Sequence, residues 1–187
     1  KTPFNPSSPY GISKIAGYYL TKLYREKHSL FACSGICFSH ESPRRADIFV
    51  TKKITSTVAR IKYGLANELR LGNLETKRDW GFSGDFVEAI WAMLQQDQPD
   101  DYVIGTEENH SIKEFVERAF TYAGLDWEKY VVTDPALFRP AEANPWLADI
   151  SKAKRVLGWK PKTSFADLIA MMMDWDLDRV EREAGKG

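Results

Sequence analysis

The sequence is poor in cysteine and histidine, and neither sign of charge is in excess. Two cysteines, Cys33 and Cys37, are too few for a disulfide framework and favour a reducing compartment, so we expect a cytoplasmic protein. The 3 histidines give no zinc-binding spacing with them, and no metal site is predicted. Lys plus Arg and Asp plus Glu each number 26, which argues against a nucleic-acid-binding protein. No apolar run is long enough for a transmembrane helix, so no membrane partner is expected.

Two further features are missing. The 187 residues contain no glycine-rich turn of the kind that opens a dinucleotide-binding sheet, and they start at Lys1 rather than at a methionine. The hydrophobic and charged fractions, 43% and 28%, are nevertheless those of a globular protein. We therefore expect the C-terminal part of a longer enzyme.

Alternating helical and strand-like segments predict an α/β fold. The apolar run 30–38 is typical of a strand buried on both faces of a parallel sheet, and a charged loop, 39–47, follows it. Ser111 and Glu114 form a capping box at the start of a predicted helix. Residues 78–81 are predicted to form a turn. The remaining predictions are helices over 10–27, 49–63, 85–95, 111–123, 151–157 and from about 164 onward, and short strands over 68–71, 102–105 and 130–133.

Tyr10 and Lys14 lie four residues apart in the first predicted helix, so their side chains share one face. A tyrosine phenol is a poor base at neutral pH, and a nearby ammonium favours its ionised form. Such a pair can remove a hydroxyl proton while a hydride leaves the same carbon. Tyr18 and Lys22 have the same spacing, and we interpret that second pair as an ordinary solvated helix face.

A cationic loop follows the predicted buried strand, at the sheet edge where ligands of open α/β sheets bind. It reads His40-Glu41-Ser42-Pro43-Arg44-Arg45. From residue 41 to residue 62 the cations outnumber the carboxylates, which suits a diphosphate or a phosphorylated ribose. The alternatives are a solvated basic helix face for Arg60 and Lys62 and a structural role for His40.

These motifs carry a resemblance to a known family. The stretch Ser8 to Lys14 resembles the start of the active-site helix of extended short-chain dehydrogenases/reductases. The stretch Phe38 to Ile54 resembles the GDP-mannose 4,6-dehydratase family within that group. The turn Arg78-Asp79-Trp80-Gly81 resembles the same dehydratase family, and the segment 149–161 resembles the C-terminal signature of nucleotide-sugar epimerases and dehydratases in general. The resemblance extends from Thr2 to about Asp178.

The resemblance implies a role for each matching residue. Tyr10 would be the acid/base, and Lys14 would favour its ionised form and hydrogen-bond the nicotinamide ribose. Both would bind NADP together with His40 and Arg45. The implied substrate-binding residues are Ser39, Glu41, Lys53, Arg78, Arg139 and Glu142. The sequence departs from the family pattern at Ser39, where asparagine is usual, and at Ala141 and Asn144.

The resemblance also implies an activity and an architecture. The activity is a hydro-lyase reaction that converts GDP-mannose to GDP-4-keto-6-deoxymannose through bound NADP, in a homodimer or homotetramer. The fold is the C-terminal part of a Rossmann-type parallel sheet with a smaller α/β substrate-binding domain. The two domains would be interleaved, with residues 1–47 and 74–107 in the first and residues 48–73 and 108–187 in the second.

Two alternatives stay open. The first is another nucleotide-sugar 4,6-dehydratase or an epimerase, against which the His-Glu-Ser-Pro-Arg-Arg loop argues. The second is a non-catalytic binding or assembly fragment, because the family carries its glycine-rich turn and a Ser/Thr-x-Glu pair upstream of the tyrosine helix. For the same reason we expect this chain to be inactive alone.

Overall fold

The computed structural model describes residues 2–138 and 147–185. Within these ranges the helices are α1 (Pro9–His28), α2 (Val50–Lys62), α3 (Ser83–Met93), α4 (Ile112–Tyr122) and α5 (Phe165–Ala184). The strands are β1 (Ser34–Cys37), β2 (Ser39–Glu41), β3 (Leu69–Leu71), β4 (Lys77–Arg78), β5 (Trp80–Phe82), β6 (Asp101–Ile104), β7 (His110–Ser111) and β8 (Val131–Thr133). Short 3₁₀ turns span Trp127–Lys129 and Pro135–Leu137, and a π-helical turn spans Ala153–Leu157. No helix of these ranges combines the length and the hydropathy needed to cross a bilayer.

Parallel pairing dominates the strand topology. β1 pairs with β6, β2 with β5 and β3 with β8, all in parallel, whereas β4 and β7 pair antiparallel. In the β2–β5 pair, Ser39 lies opposite Trp80 and His40 opposite Gly81. This register brings the end of β1 and the start of β2 next to the junction of β4 and β5, which is where the candidate site lies.

Three predictions, of a loop, a turn and a strand, were wrong in detail. The loop expected over 39–47 begins with β2, and the turn expected over 78–81 contains parts of β4 and β5. Each of these short strands forms by pairing with a distant segment, β2 with β5 and β4 with β7, which local sequence signals do not reveal. The strand expected over 30–38 is shortened to β1, and its residues are partly exposed rather than buried on both faces.

The buried apolar residues form two clusters. The first lies between α2, α4, α5 and β3, and Trp80 is part of it, as expected for a core tryptophan. The second lies around α3 and β6, and the residues Ala148, Ile150, Ala153 and Trp159 pack into it. The segment 148–159 therefore packs with α3, and the domain boundaries given above remain a prediction.

Helical spacing identified the helices correctly but misassigned some of their faces. Helix α3 buries Phe86, yet four apolar residues expected on the same face are exposed, namely Val87, Ile90, Trp91 and Leu94. Trp175 of α5, expected in the core, is 49% exposed. Helix α1 has no buried residue in the described part of the chain. Which apolar side chains are covered depends on neighbouring elements, and the periodicity of one helix does not specify these.

Polar contacts attach α1 to the sheet. Arg25 donates from both terminal nitrogens to the carboxylate of Asp101 at 2.9 Å and from one of them to the carbonyl of Ala32 at 3.1 Å. The backbone N–H of Ser34 also donates to Asp101. Burial raises the pKa of the Asp101 carboxyl, but the hydrogen bonds and the positive charge of Arg25 outweigh it and hold that pKa below its ordinary value.

We expect Asp101→Asn to lower the free energy of unfolding at pH 7 by about 1.5–3 kcal/mol, because it removes a charge-assisted bidentate contact. A carboxyl whose pKa is lower in the folded state stabilises the fold above its unfolded pKa, and this contribution is lost as the pH falls through the folded value. The difference between parent and variant should therefore shrink below about pH 4. Denaturant unfolding from pH 7 to pH 2.5 measures it.

The matched control is Glu26→Gln, which removes the exposed ion pair between Glu26 and Lys22 on the same helix. Exposed pairs contribute little, so its effect should stay below about 0.5 kcal/mol. A constant difference between parent and Asp101→Asn across the whole pH range would contradict the assignment.

Candidate active site

A cleft of about 980 Å³ lies where α1 begins, where β1 ends and where β4 meets β5. Six of the residues predicted for the site line it, namely Tyr10, Lys14, Ser39, His40, Arg45 and Arg78. Ile36, Cys37, Phe38, Phe49 and Asp79 complete the lining. The structure therefore brings the tyrosine–lysine pair and the cationic loop, which are separated in sequence, to one concave surface.

Tyr10 and Lys14 lie on the face of α1 that borders the cleft. Ser8 caps this helix by accepting a hydrogen bond from the backbone N–H of Gly11 at 3.1 Å, so Tyr10 sits in the first turn. The Tyr10 side chain is 69% exposed, and the Lys14 ammonium lies 5.3 Å from the centroid of its ring. An exposed phenol with an ammonium beside it is accessible to a ligand hydroxyl.

The second tyrosine–lysine pair has a different environment. Burial and the nearby Asp101 carboxylate raise the pKa of Tyr18, which is the direction that opposes ionisation. Lys22 forms an ion pair with Glu26. Neither residue lines the cleft. The same spacing thus places Tyr10 and Lys14 in the cleft lining but Tyr18 and Lys22 outside it.

Arg45 is held in the cleft wall by contacts within its own loop. Its backbone N–H donates to the carbonyl of Ser42 at 3.0 Å, which closes a turn. The guanidinium carbon lies 3.4 Å from the centroid of the Phe49 ring, and Nε lies 3.1 Å from a Glu41 carboxylate oxygen. Nε is close enough to Glu41 to form an ion pair, but the contact does not have the geometry of a hydrogen bond. A guanidinium fixed in this way loses little conformational entropy when it binds an anion.

His40 is the exposed middle residue of β2. Its Nδ1 lies 2.9 Å from the carbonyl oxygen of Phe38, and because a carbonyl only accepts, Nδ1 carries the proton. The ring also packs against Phe86, with the centroids 5.2 Å apart. These contacts fix the orientation of the imidazole at the edge of the cleft.

Two predicted substrate-binding residues, Glu41 and Lys53, do not line the cleft. Glu41 is 3% exposed and accepts a hydrogen bond from the Thr51 hydroxyl at 2.8 Å, so its carboxylate lies beneath the cleft rather than in its lining. Burial raises the pKa of this carboxyl, against the opposing effects of Thr51, Arg45 and His40. Lys53 donates from Nζ to the carbonyl of Arg70 at 2.6 Å and does not line the cleft.

The remaining predicted residues, Arg139 and Glu142, lie outside the described residues, as do the departures at Ala141 and Asn144.

Asp79 is a cleft residue that the sequence did not single out. It is 2% exposed, and its carboxylate accepts hydrogen bonds from the backbone N–H and the hydroxyl of Thr106, both at 2.8 Å, and from the backbone N–H of Glu107. It thereby fixes the loop after β6 against the cleft. The sequence signal that could have identified Asp79 as a cleft residue is its position directly after Arg78 in the Arg-Asp-Trp motif.

Cys37 also lines the cleft, but it is a weak candidate nucleophile. Burial raises the pKa of its thiol, and the opposing effect of the Lys14 charge is smaller. Across residues 2–138 and 147–185, no group of three or more His, Cys, Asp or Glu side chains is placed to hold a metal ion.

Comparison with known proteins gives the family. The model of the family described as GDP-mannose 4,6 dehydratase matches residues 1–172. The chain belongs to this family. GDP-mannose 4,6 dehydratase 2 of Arabidopsis thaliana is 56% identical over 182 residues, which are 97% of this chain and 49% of that protein. GDP-mannose 4,6 dehydratase of Homo sapiens is 43% identical over 194 residues, which cover 95% of this chain and 52% of that protein.

The chain spans about half the length of the curated dehydratase relatives that it matches. Solved structures share its fold. RMD from Pseudomonas aeruginosa, complexed with NADPH, superposes with a TM-score of 0.86 at 24% identity over 94% of this chain and 58% of that one. DesIV from Streptomyces venezuelae, a dTDP-glucose 4,6-dehydratase with NAD and TYD bound, gives 0.80 at 24% identity over 98% of this chain and 54% of that one. The predicted α/β, Rossmann-type fold class is confirmed.

Proposed function

We propose that this chain carries the acid/base and part of the ligand-binding surface of a GDP-mannose 4,6-dehydratase, a hydro-lyase that forms GDP-4-keto-6-deoxymannose. The observation that carries the proposal is that Tyr10 and Lys14 border the same cleft as His40 and Arg45. This arrangement puts a proton acceptor next to cationic and imidazole groups suited to a phosphorylated ligand.

The lining and the size of the cleft support a nicotinamide dinucleotide as its ligand. Its volume of about 980 Å³ is at the upper end of the range for ligand sites. Tyr10, Lys14, His40 and Arg45 would hold the cofactor, and we propose NADP because Arg45 and His40 suit a phosphorylated ribose. When bound, NADP would supply the hydride acceptor for C4 of the sugar and the hydride donor for C6.

The residues of this chain would act on the proton and on the substrate. Tyr10, with the Lys14 ammonium 5.3 Å from the centre of its ring, would accept the proton of the sugar 4-hydroxyl as that carbon is oxidised to a ketone. Ser39 and Arg78 lie in the cleft wall, where they can contact the sugar nucleotide. Glu41 acts through Arg45, with which it forms an ion pair.

Other parts of the proposal do not rest on the described lining of the cleft. Lys53, Arg139 and Glu142 remain proposed substrate ligands from the resemblance. Loss of water across C5 and C6 needs the Ser/Thr-x-Glu pair, which the resemblance places upstream of the tyrosine helix. A homodimer or homotetramer in the cytoplasm also remains part of the proposal.

The experiment that tests this function replaces the matching half of the Arabidopsis relative with this chain. We expect the chimera to convert GDP-mannose to a 4-keto product with added NADP, and to leave UDP-glucose and dTDP-glucose unchanged. The unaltered Arabidopsis protein is the positive control, and the 187-residue chain alone should give no product. Turnover of only the two glucose nucleotides would refute the substrate assignment. Product from the chain alone would refute the expectation that the reaction needs the upstream glycine-rich turn and Ser/Thr-x-Glu pair.

A further inference from the structure

An ion pair is fully enclosed between α2 and α5. Lys52 is 4% exposed and Asp176 is 0% exposed, and Lys52 Nζ lies 2.7 Å from Asp176 Oδ1. The other carboxylate oxygen, Oδ2, accepts a hydrogen bond from the Thr55 hydroxyl at 2.7 Å. A guanidinium nitrogen of Arg179 lies 3.1 Å from Oδ1. Both oxygens of the carboxylate are thus satisfied, as a buried charge requires.

The same ammonium reaches the cationic loop. Lys52 Nζ donates a hydrogen bond to the backbone carbonyl of Pro43 at 2.9 Å. Pro43 lies inside the turn that Arg45 closes by donating its backbone N–H to Ser42. A single side chain therefore ties helix α5, at Asp176, to the turn that places Arg45 in the cleft wall.

The loop contact identifies what this pair provides beyond stability. Two helices can be packed together by apolar residues at least as stably as by a buried ion pair, since burial removes both charges from water. An apolar pair, however, cannot donate a hydrogen bond to the Pro43 carbonyl. The feature specific to Lys52 and Asp176 is the oriented ammonium under the loop.

We propose that Lys52 and Asp176 are positioning residues for the loop 41–45. Asp176 fixes the Lys52 ammonium, which anchors Pro43 and so keeps Arg45 over Phe49. Asp176 lies beyond the residues 1–172 that match the family model. The consequence for NADP binding rests on the proposed function, but the positioning of the loop does not.

Hydrogen exchange of the ligand-free 187-residue chain tests the proposal, because it reports opening of the loop without any activity. The variants are Lys52→Met and the double variant Lys52→Met with Asp176→Leu, which replaces the charged pair by an apolar pair. We expect the backbone amides of residues 44–49 to exchange about tenfold faster in both, the effect of losing one charge-assisted hydrogen bond. The double variant should melt within a few degrees of the parent, whereas Lys52→Met, which strands a buried carboxylate, should melt lower.

The matched control is Arg60→Gln. This variant breaks another ion pair between the same two helices, in which Arg60 lies 3.3 Å from Glu183. That pair is half-exposed and lies near the C-terminal end of α2, away from the loop. The variant should leave the exchange of residues 44–49 unchanged. A double variant that exchanges like the parent, or that does not fold, would overturn the proposal.

Binding of NADP separates this inference from the proposed function. In the chimera with the Arabidopsis protein, the double variant should raise the NADP dissociation constant about tenfold while its melting temperature stays near that of the parent chimera. Absence of NADP binding in the parent chimera would contradict the proposed function and leave the exchange result standing.

Discussion

Replacement of Tyr10 by phenylalanine should lower the turnover of GDP-mannose by about 10²–10⁴-fold, the usual contribution of a positioned acid/base. The substitution removes one oxygen from a side chain that is 69% exposed, so the fold should keep its stability. Proton removal from the sugar 4-hydroxyl would then lack its acceptor, while the cationic groups of the cleft remain. Product formation by the chimera with the Arabidopsis relative, measured at saturating GDP-mannose and NADP, gives the turnover number.

Tyr18→Phe is the matched control, because Tyr18 also precedes a lysine by four residues on the same helix but lies outside the cleft. Its turnover should stay within about twofold of the parent chimera. If Tyr10→Phe kept near-parental turnover, or if both variants lost it equally, Tyr10 would not be the acid/base.

Replacement of Arg45 by alanine should raise the dissociation constant for NADP by about 10–100-fold, the loss expected for hydrogen bonds to a charged group. The guanidinium is already stacked on Phe49 and paired with Glu41, so in the parent its ordering costs little on binding. Titration of cofactor into the chimera, followed by fluorescence or calorimetry, measures the constant.

Arg44→Ala gives a matched control, since Arg44 is the preceding residue and carries the same charge, but is exposed and does not line the cleft. It should change the dissociation constant by less than about threefold, through general electrostatics alone. Equal losses in the two variants would point to net loop charge rather than to the placed Arg45 side chain. An unchanged constant in Arg45→Ala would remove it from the cofactor site.

Local signals predicted much of the secondary structure because they act within a few residues. The capping box at Ser111 and Glu114 is present, with bonds of 3.0 and 2.9 Å, and α4 follows it. Gly124, which closes this helix, has a φ of +71°, a value that glycine adopts at little cost. The strands were less predictable, since β2 and β5 each need the other to form.

The sequence also predicted part of the lining of the cleft. The spacing of Tyr10 and Lys14 and the order of charges around Arg45 are local patterns, and both contribute to the cleft. Burial was not predictable in the same way. Nothing local to Glu41 indicates that its carboxylate lies beneath the cleft, because the bond that holds it comes from Thr51 on α2.

The sequence by itself determined the α/β class, the helices and the residue types available for acid/base and phosphate-binding chemistry, because capping, periodicity and residue spacing are properties of short segments. Only the tertiary structure decided that Tyr10 and Arg45 share one cleft, that Asp79 braces the loop after β6, and that Asp176 supports Lys52 across 124 positions of the chain. The physical reason is that burial and pairing depend on which distant segments pack together, and the free energy of that packing is distributed over the whole core.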